Sequence, residues 1–300
     1  MAGKKVIDNE FFNRLERAAL YVRKDMRGYF GGNHQTKFYG STVEFADYQE
    51  YTLGDDIRRI DWNLYSRFEK YFIKLFVDDR QMHVQTFLDC SASMQKADND
   101  KAVFAMRAAA AVAFLSVQNM DRTSIKLIKG EHAEDFCGVV TGKNALFRGL
   151  HKFDDLQFKG SADLEKAIIN SPSVGTSNGL TVIISDFMTD SNWKRAVDYL
   201  IYNKRQVMLV QVFSPEEVDP NYNGRVRLVD YEAVDPMDER NFKMKITKAN
   251  IQAYNEALYD FIDDIRRFCA ARGVDYVNAV CNEPVEKLLF EKMGKVGVIK

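Results

Sequence analysis

The stretch HVQTFLDCSASM, residues 83–94, decides the fold. An apolar run stops at Asp89, and Ser91 and Ser93 follow at alternate positions. A short apolar run of this kind predicts a buried strand. Three small oxygen-bearing side chains then fall within five residues. Capping is one account, because Asp and Ser at a strand–helix junction satisfy free backbone N–H groups. A ligand site is the other, because open α/β sheets bind ligands beyond the carboxyl ends of their strands.

The flanking sequence predicts such a sheet. KAVFAMRAAAAVAFLSVQNM, 101–120, is apolar on nearly every face and reads as a central, buried helix. SIKLIKG (124–130) and EDFCGVV (134–140) are strand candidates; NALFRGLHKF (144–153) and DLEKAIINS (163–171) are helical. LTVIISD, 180–186, is a second fully apolar strand ending in an aspartate, Asp186. The helix WKRAVDYLIYN and the strand QVMLVQVF follow, then a small hairpin from RVRLVDYE and FKMKIT. A long amphipathic helix, 249–273, stops at Gly273. VDYVNAV closes as a last strand and PVEKLLFEKM as a last helix. Apolar strands alternating with helices imply a mostly parallel sheet covered on both faces.

Upstream, DNEFFNRLERAALYVRKDMR has helical spacing at Phe11, Phe12, Leu15, Ala19 and Val22. The Gly- and aromatic-rich stretch 28–63 reads as loops and short strands. YFIKLFVDD, 71–79, reads as a strand. The expected domains are an N-terminal extension over 1–78 and an α/β domain over 79–300, with a hairpin insertion near 225–246.

Composition excludes several classes. The 42 basic and 43 acidic residues nearly balance, so no concentrated positive surface for nucleic acid is expected. No apolar run approaches the ~18 residues of a membrane span. The N-terminus has no apolar segment after its lysines and does not read as a secretory signal. Cys90, Cys137, Cys269 and Cys281 form no CxxC pair, which points to reduced thiols and a cytoplasmic location. His34, His83, His132 and His151 show no metal-ligand spacing, and no P-loop or nucleophile elbow is present.

If the strands ending in Asp89 and Asp186 are neighbours, both carboxylates reach one edge, with Ser91 and Ser93 on the adjoining loop. Such an all-oxygen cluster with two negative charges suits a hard divalent cation, Mg²⁺ above all. DCSASM together with SDF resembles the metal-ion-dependent adhesion site of a von Willebrand factor A domain. The resemblance implies a Rossmann-like α/β fold and a metal (Mg²⁺, or Mn²⁺ or Ca²⁺) at Asp89, Ser91, Ser93 and Asp186. It also implies a threonine from a second loop. Here that loop reads KGSADLEKAI, with Ala162 at the threonine position and Ser161 beside it as a substitute ligand. Thr141 is a less favoured candidate.

FYGSTVEFADYQEYTLGDDIRRIDWNLYSRFEKYFIKLFVDDR, 38–80, resembles the bacterial family called domain of unknown function 58. Glu44, Phe45, Asp47, Tyr51, Gly54, Asp55, Asp56, Arg58, Ile60, Asp61, Trp62 and Arg67 carry the likeness. Gln49 and Ser66 depart from it, standing where the family has arginine and alanine. The resemblance runs from about residue 28 to the C-terminus and implies a short soluble member. Gly54, Asp55, Asp56, Arg58, Asp61, Trp62 and Arg67 are read as a charge network, packed over Trp62, that fastens the extension to the α/β domain; partner contact is the other reading. The family implies a non-enzymatic partner of a MoxR-type AAA+ ATPase, or of that ATPase's client, in protein maturation. A metal-free scaffold and a Mg²⁺-dependent phosphohydrolase are the competing readings.

Overall fold

The computed structural model describes residues 6–22, 43–52, 57–78, 82–95, 100–172, 179–220, 224–228 and 242–289. In chain order the elements are α1 (Asn9–Val22), β1 (Val43–Glu50), α2 (Trp62–Phe68), β2 (Phe72–Asp78), β3 (His83–Asp89) and α3 (Asp100–Gln118). Then come β4 (Arg122–Lys129), β5 (His132–Asp135), α4 (Lys143–Leu150), α5 (Leu164–Ile169), β6 (Gly179–Ser185), α6 (Trp193–Tyr202) and β7 (Arg205–Phe213). The last are α7 (Pro215–Val218), β8 (Gly224–Leu228), β9 (Phe242–Ile246), α8 (Lys248–Arg272), β10 (Asp275–Val280) and α9 (Val285–Lys287). The chain divides into two compact units, Gly32–Gln81 and the remainder, Met1–Gly31 with Met82–Lys300.

In the larger unit six strands form one sheet in the order β10-β7-β6-β3-β4-β5. Every pairing is parallel except β4 with β5. β6 is buried at all seven positions and β3 from Val84 onward, which explains why neither carries a charged side chain between Val84 and Leu88 or between Gly179 and Ser185. From β3 the chain steps first to β4 on one side and later to β6 on the other. The switch point of the sheet, where such folds place ligands, therefore lies between β3 and β6. α3 is buried from Lys101 to Val117 except at Val103 and Arg107, as its all-round apolar character predicts.

Two features differ from the sequence expectation. The N-terminal helix is part of the larger unit, not of an extension over 1–78. Phe11 and Leu15 on α1 are buried in the same apolar cluster as α3, and the Phe12 ring lies 5.8 Å from Phe114 and 4.2 Å from Phe147. An amphipathic helix buries its stripe wherever an apolar surface is available, and here α3 and α4 supply it. The strand expected over 134–140 instead occupies His132–Asp135, because Gly138 turns the chain at φ +64.

The smaller unit contains β1 and β2, paired antiparallel with a bulge between Phe45 and Asp47. α2 begins in the stretch expected to hold only loops and short strands. Its N-cap is Asp61, whose Oδ1 accepts from Asn63 N at 2.9 Å and whose Oδ2 accepts from Tyr48 Oη at 3.3 Å. β8 and β9 form the expected hairpin, paired antiparallel. Among the described residues no helix is long and apolar enough to cross a membrane.

Candidate functional site

β3 and β6 pair in register, Leu88 beside Ile184, so the aspartates that follow lie at one edge of the sheet. Both are buried, at 2% and 1% exposure. Asp89 Oδ2 accepts from Ser185 Oγ at 2.6 Å, which ties the ends of the two strands together. Asp89 Oδ1 accepts from Ser91 N at 2.9 Å and folds the DCSAS loop back on itself. The hydroxyls of Ser91 and Ser93 stand 3.0 Å apart. Ser91 precedes a 3-10 turn at Ala92–Met94 but makes no side-chain cap to it, so capping accounts for Asp89 in part and for the Ser91 hydroxyl not at all.

Asp186 is fixed from both ends. Its Oδ1 accepts from Met188 N at 2.9 Å, and its carbonyl oxygen accepts from Gln211 Nε2 at 2.8 Å. The next residue, Phe187, adopts φ +58, a left-handed conformation that is strained for an aromatic residue. Burial of its ring against Trp193, 5.3 Å away, and the bond from Phe187 N to Ser185 Oγ hold it there.

Sequence reasoning missed the residue at the centre of this site. Lys101, in the first turn of α3, has a side chain that is 0% exposed. Its ammonium donates to Asp186 Oδ2 at 2.8 Å, to Glu217 Oε1 of α7 at 3.0 Å and to Ser93 O at 3.4 Å. The available signal was a lysine in the first turn of a helix that is apolar on nearly every face.

The electrostatics follow from burial. Loss of water, and then the neighbouring charge of Asp186, push the Asp89 carboxyl up to about 6, against the pull of its bonds from Ser185 and Ser91. Burial alone would lower the Lys101 ammonium; the carboxylates of Asp186 and Glu217 outweigh it and hold it above the ordinary lysine value. Burial raises the Cys90 thiol, whose Sγ is turned to Leu88 O, so it is no nucleophile at this edge.

The second loop meets the site through its backbone. Ala92 N donates to Gly160 O at 2.8 Å and Lys159 N to Cys90 O at 2.9 Å. Ser161 is exposed and its carbonyl accepts from Gly130 N, so among the described residues KGSADL meets the site through its main chain and not through a side-chain hydroxyl. Ala162 is 4% exposed within an apolar cluster, and its carbonyl accepts from Thr189 Oγ1 at 3.1 Å. Thr141 is exposed ahead of α4.

These residues fit a small divalent cation. Octahedral Mg²⁺ holds oxygens at about 2.1 Å, which sets adjacent ligands about 3 Å apart. Ser91 Oγ and Ser93 Oγ have that separation, 3.0 Å. The donor set is all oxygen, and among the described residues the bonds to Asp89 come from a hydroxyl and an amide. The second loop adds no third hydroxyl, because Ala162 has none to give.

Of the upstream signature, Gly54, Asp55 and Asp56 lie outside the described residues. Asp61 is 7% exposed and caps α2. Arg58 and Arg67 are exposed. Trp62 does not pack beneath a charge network: it is 62% exposed, with its ring against Tyr65 and Tyr71 at 6.1 and 6.5 Å. It opens a helix of only seven residues, too short to bury both faces.

A mostly parallel sheet with one antiparallel edge strand and two strand-end aspartates at its switch point defines an open, Rossmann-like α/β domain. The chain belongs to the DUF58 family, described as protein of unknown function, whose model matches residues 47–258. Three uncharacterized relatives, one from Mycobacterium bovis and two from Mycobacterium tuberculosis, are each 28% identical over 224 residues, 73% of this chain and 70% of theirs. The crystal structure of the conserved hypothetical protein BatB from Bacteroides thetaiotaomicron aligns at TM-score 0.41 and 13% identity, over 72% of this chain and 99% of that one. A von Willebrand factor type A protein from Catenulispora acidiphila aligns at TM-score 0.33 and 12% identity, over 46% and 34%.

Proposed function

We propose that this protein is a non-enzymatic interaction module that docks a protein partner at the β3/β6 edge through a divalent cation. Ser91 and Ser93, with Asp89 and Asp186, would hold the ion. A bound Mg²⁺ supplies an open coordination position for an Asp or Glu of the partner. The paired hydroxyls 3.0 Å apart, beside two buried carboxylates, carry this reading. Ser185 orients the Asp89 carboxylate, Gln211 holds the main chain at Asp186, and the packed Phe187 fixes the loop that presents it. The family resemblance names the partner class: a MoxR-type AAA+ ATPase or its client, in a cytoplasmic maturation system.

Retention of a co-encoded AAA+ ATPase on the immobilised protein tests it, with Mg²⁺, with EDTA, and with Asp89→Ala. Loss of binding in EDTA and in the variant is expected. Unchanged binding in both overturns the metal bridge. A metal-free scaffold is the second reading, favoured by Lys101, which already supplies a cation, and by Ala162. Mg²⁺-dependent phosphatase turnover abolished by Asp89→Ala would overturn the non-enzymatic reading.

A further inference from the structure

Packing does not account for Lys101. A methionine would fill the same volume without the cost of burying an ammonium. The first turn of a helix also disfavours a cation, because the helix dipole is positive there. The lysine is nonetheless fully enclosed, and it joins three segments: the DCSAS loop at Ser93 O, the loop after β6 at Asp186, and α7 at Glu217. Glu217 is itself held in place. Its Oε2 accepts from Ser214 N at 2.7 Å, and its carbonyl accepts from Tyr254 Oη of α8 at 2.8 Å.

We infer that Lys101 is the built-in counter-cation of this site and that it sets the site's divalent affinity by competing for Asp186. The ammonium and an incoming metal share one carboxylate, Asp186, and two cations on one carboxylate repel. The site is thereby kept weak for metal, so that a partner carboxylate is needed to complete a stable complex. Arrival of the metal draws Asp186 away from Lys101 and leaves Glu217 as its remaining carboxylate partner. The metal-dependent half of this inference rests on the docking reading given above.

Lys101→Met, Glu217→Gln and the double variant test it, each measured for thermal stability in EDTA and for Mn²⁺ affinity by electron paramagnetic resonance. Lys101→Met is expected to lower Tm by several degrees in EDTA, and adding Glu217→Gln to restore part of the loss, because one of the two carboxylates that the lysine compensated is then also gone while Asp186 remains. Lys101→Met is expected to bind Mn²⁺ about tenfold more tightly than the natural chain. Should the single variant not fold, Lys101→Met/Glu217→Gln keeps Asp186 and carries the Mn²⁺ comparison. Equal Mn²⁺ affinity with and without Lys101 overturns the inference and leaves the metal reading standing. No Mn²⁺ binding by any chain overturns the metal reading and the competition with it, while a partly restored double variant identifies that outcome as separate from misfolding.

Discussion

Lys101 Nζ lies 2.8 Å from Asp186 Oδ2 with both side chains almost wholly removed from water, at 0% and 2% exposure. Breaking a buried pair by removing one partner costs far more than removing both, because the survivor is left uncompensated. Lys101→Met, which strands Asp186, is expected to lose about 3 kcal/mol in urea unfolding, and Lys101→Met/Asp186→Asn less than half of that. Equal losses in the two proteins would show the pair to be energetically idle.

Asp89 gives the site a pH signature. Its folded carboxyl titrates at about 6, against 3.8 for an unperturbed aspartate. The folded state therefore binds more protons than the unfolded state between those values, and this group's contribution to stability is lost as pH rises through that window. The shift corresponds to about 3 kcal/mol. In EDTA, the natural chain is expected to lose stability relative to Asp89→Asn by this order between pH 4 and pH 7. A difference that stays flat contradicts the burial account of Asp89.

The N-terminal helix belongs energetically to the α/β unit. Leu15 is 0% exposed in the cluster that contains α3. Leu15→Ala is expected to destabilise the chain by 2–5 kcal/mol, about what a core leucine elsewhere costs. A change under about 0.5 kcal/mol, the scale of a surface substitution, would restore the boundary read from sequence near residue 78.

The second loop offers a gain-of-function test. Ala162 stands where the resemblance expects a threonine, and its carbonyl is bonded by Thr189. Ala162→Thr is expected to tighten Mn²⁺ binding about tenfold, or 1.4 kcal/mol, by supplying the absent hydroxyl. Ser161→Ala is expected to leave affinity unchanged, since Ser161 is exposed. The reverse pattern would place the third ligand at Ser161.

Much of the sheet was legible because its strands are buried on both faces. HVQTFLD and LTVIISD need no partner to be recognised, and an aspartate at the end of each marks the same edge. Their adjacency was the one step that sequence left open, and the pairing of Leu88 with Ile184 supplies it. Lys101 was illegible for a physical reason. Its partners Asp186 and Glu217 lie 85 and 116 residues away, so nothing local shows why a lysine should head a buried helix. α2 was missed because a seven-residue helix shows hardly two turns of periodicity, and its cap at Asp61 sits inside a charge-rich run. The destination of α1 was missed because an amphipathic stripe states that it will be buried and not against what.

The most direct measurement is a Mn²⁺ titration of the intact chain beside Ser91→Ala/Ser93→Ala, followed by electron paramagnetic resonance. Those two hydroxyls, 3.0 Å apart, are among the proposed ligands and make no other cap. The account predicts one bound ion in the natural chain and affinity lower by at least about tenfold in the double variant. Equal binding in the two proteins, or none in the natural chain, contradicts a metal-bridged docking site at this edge.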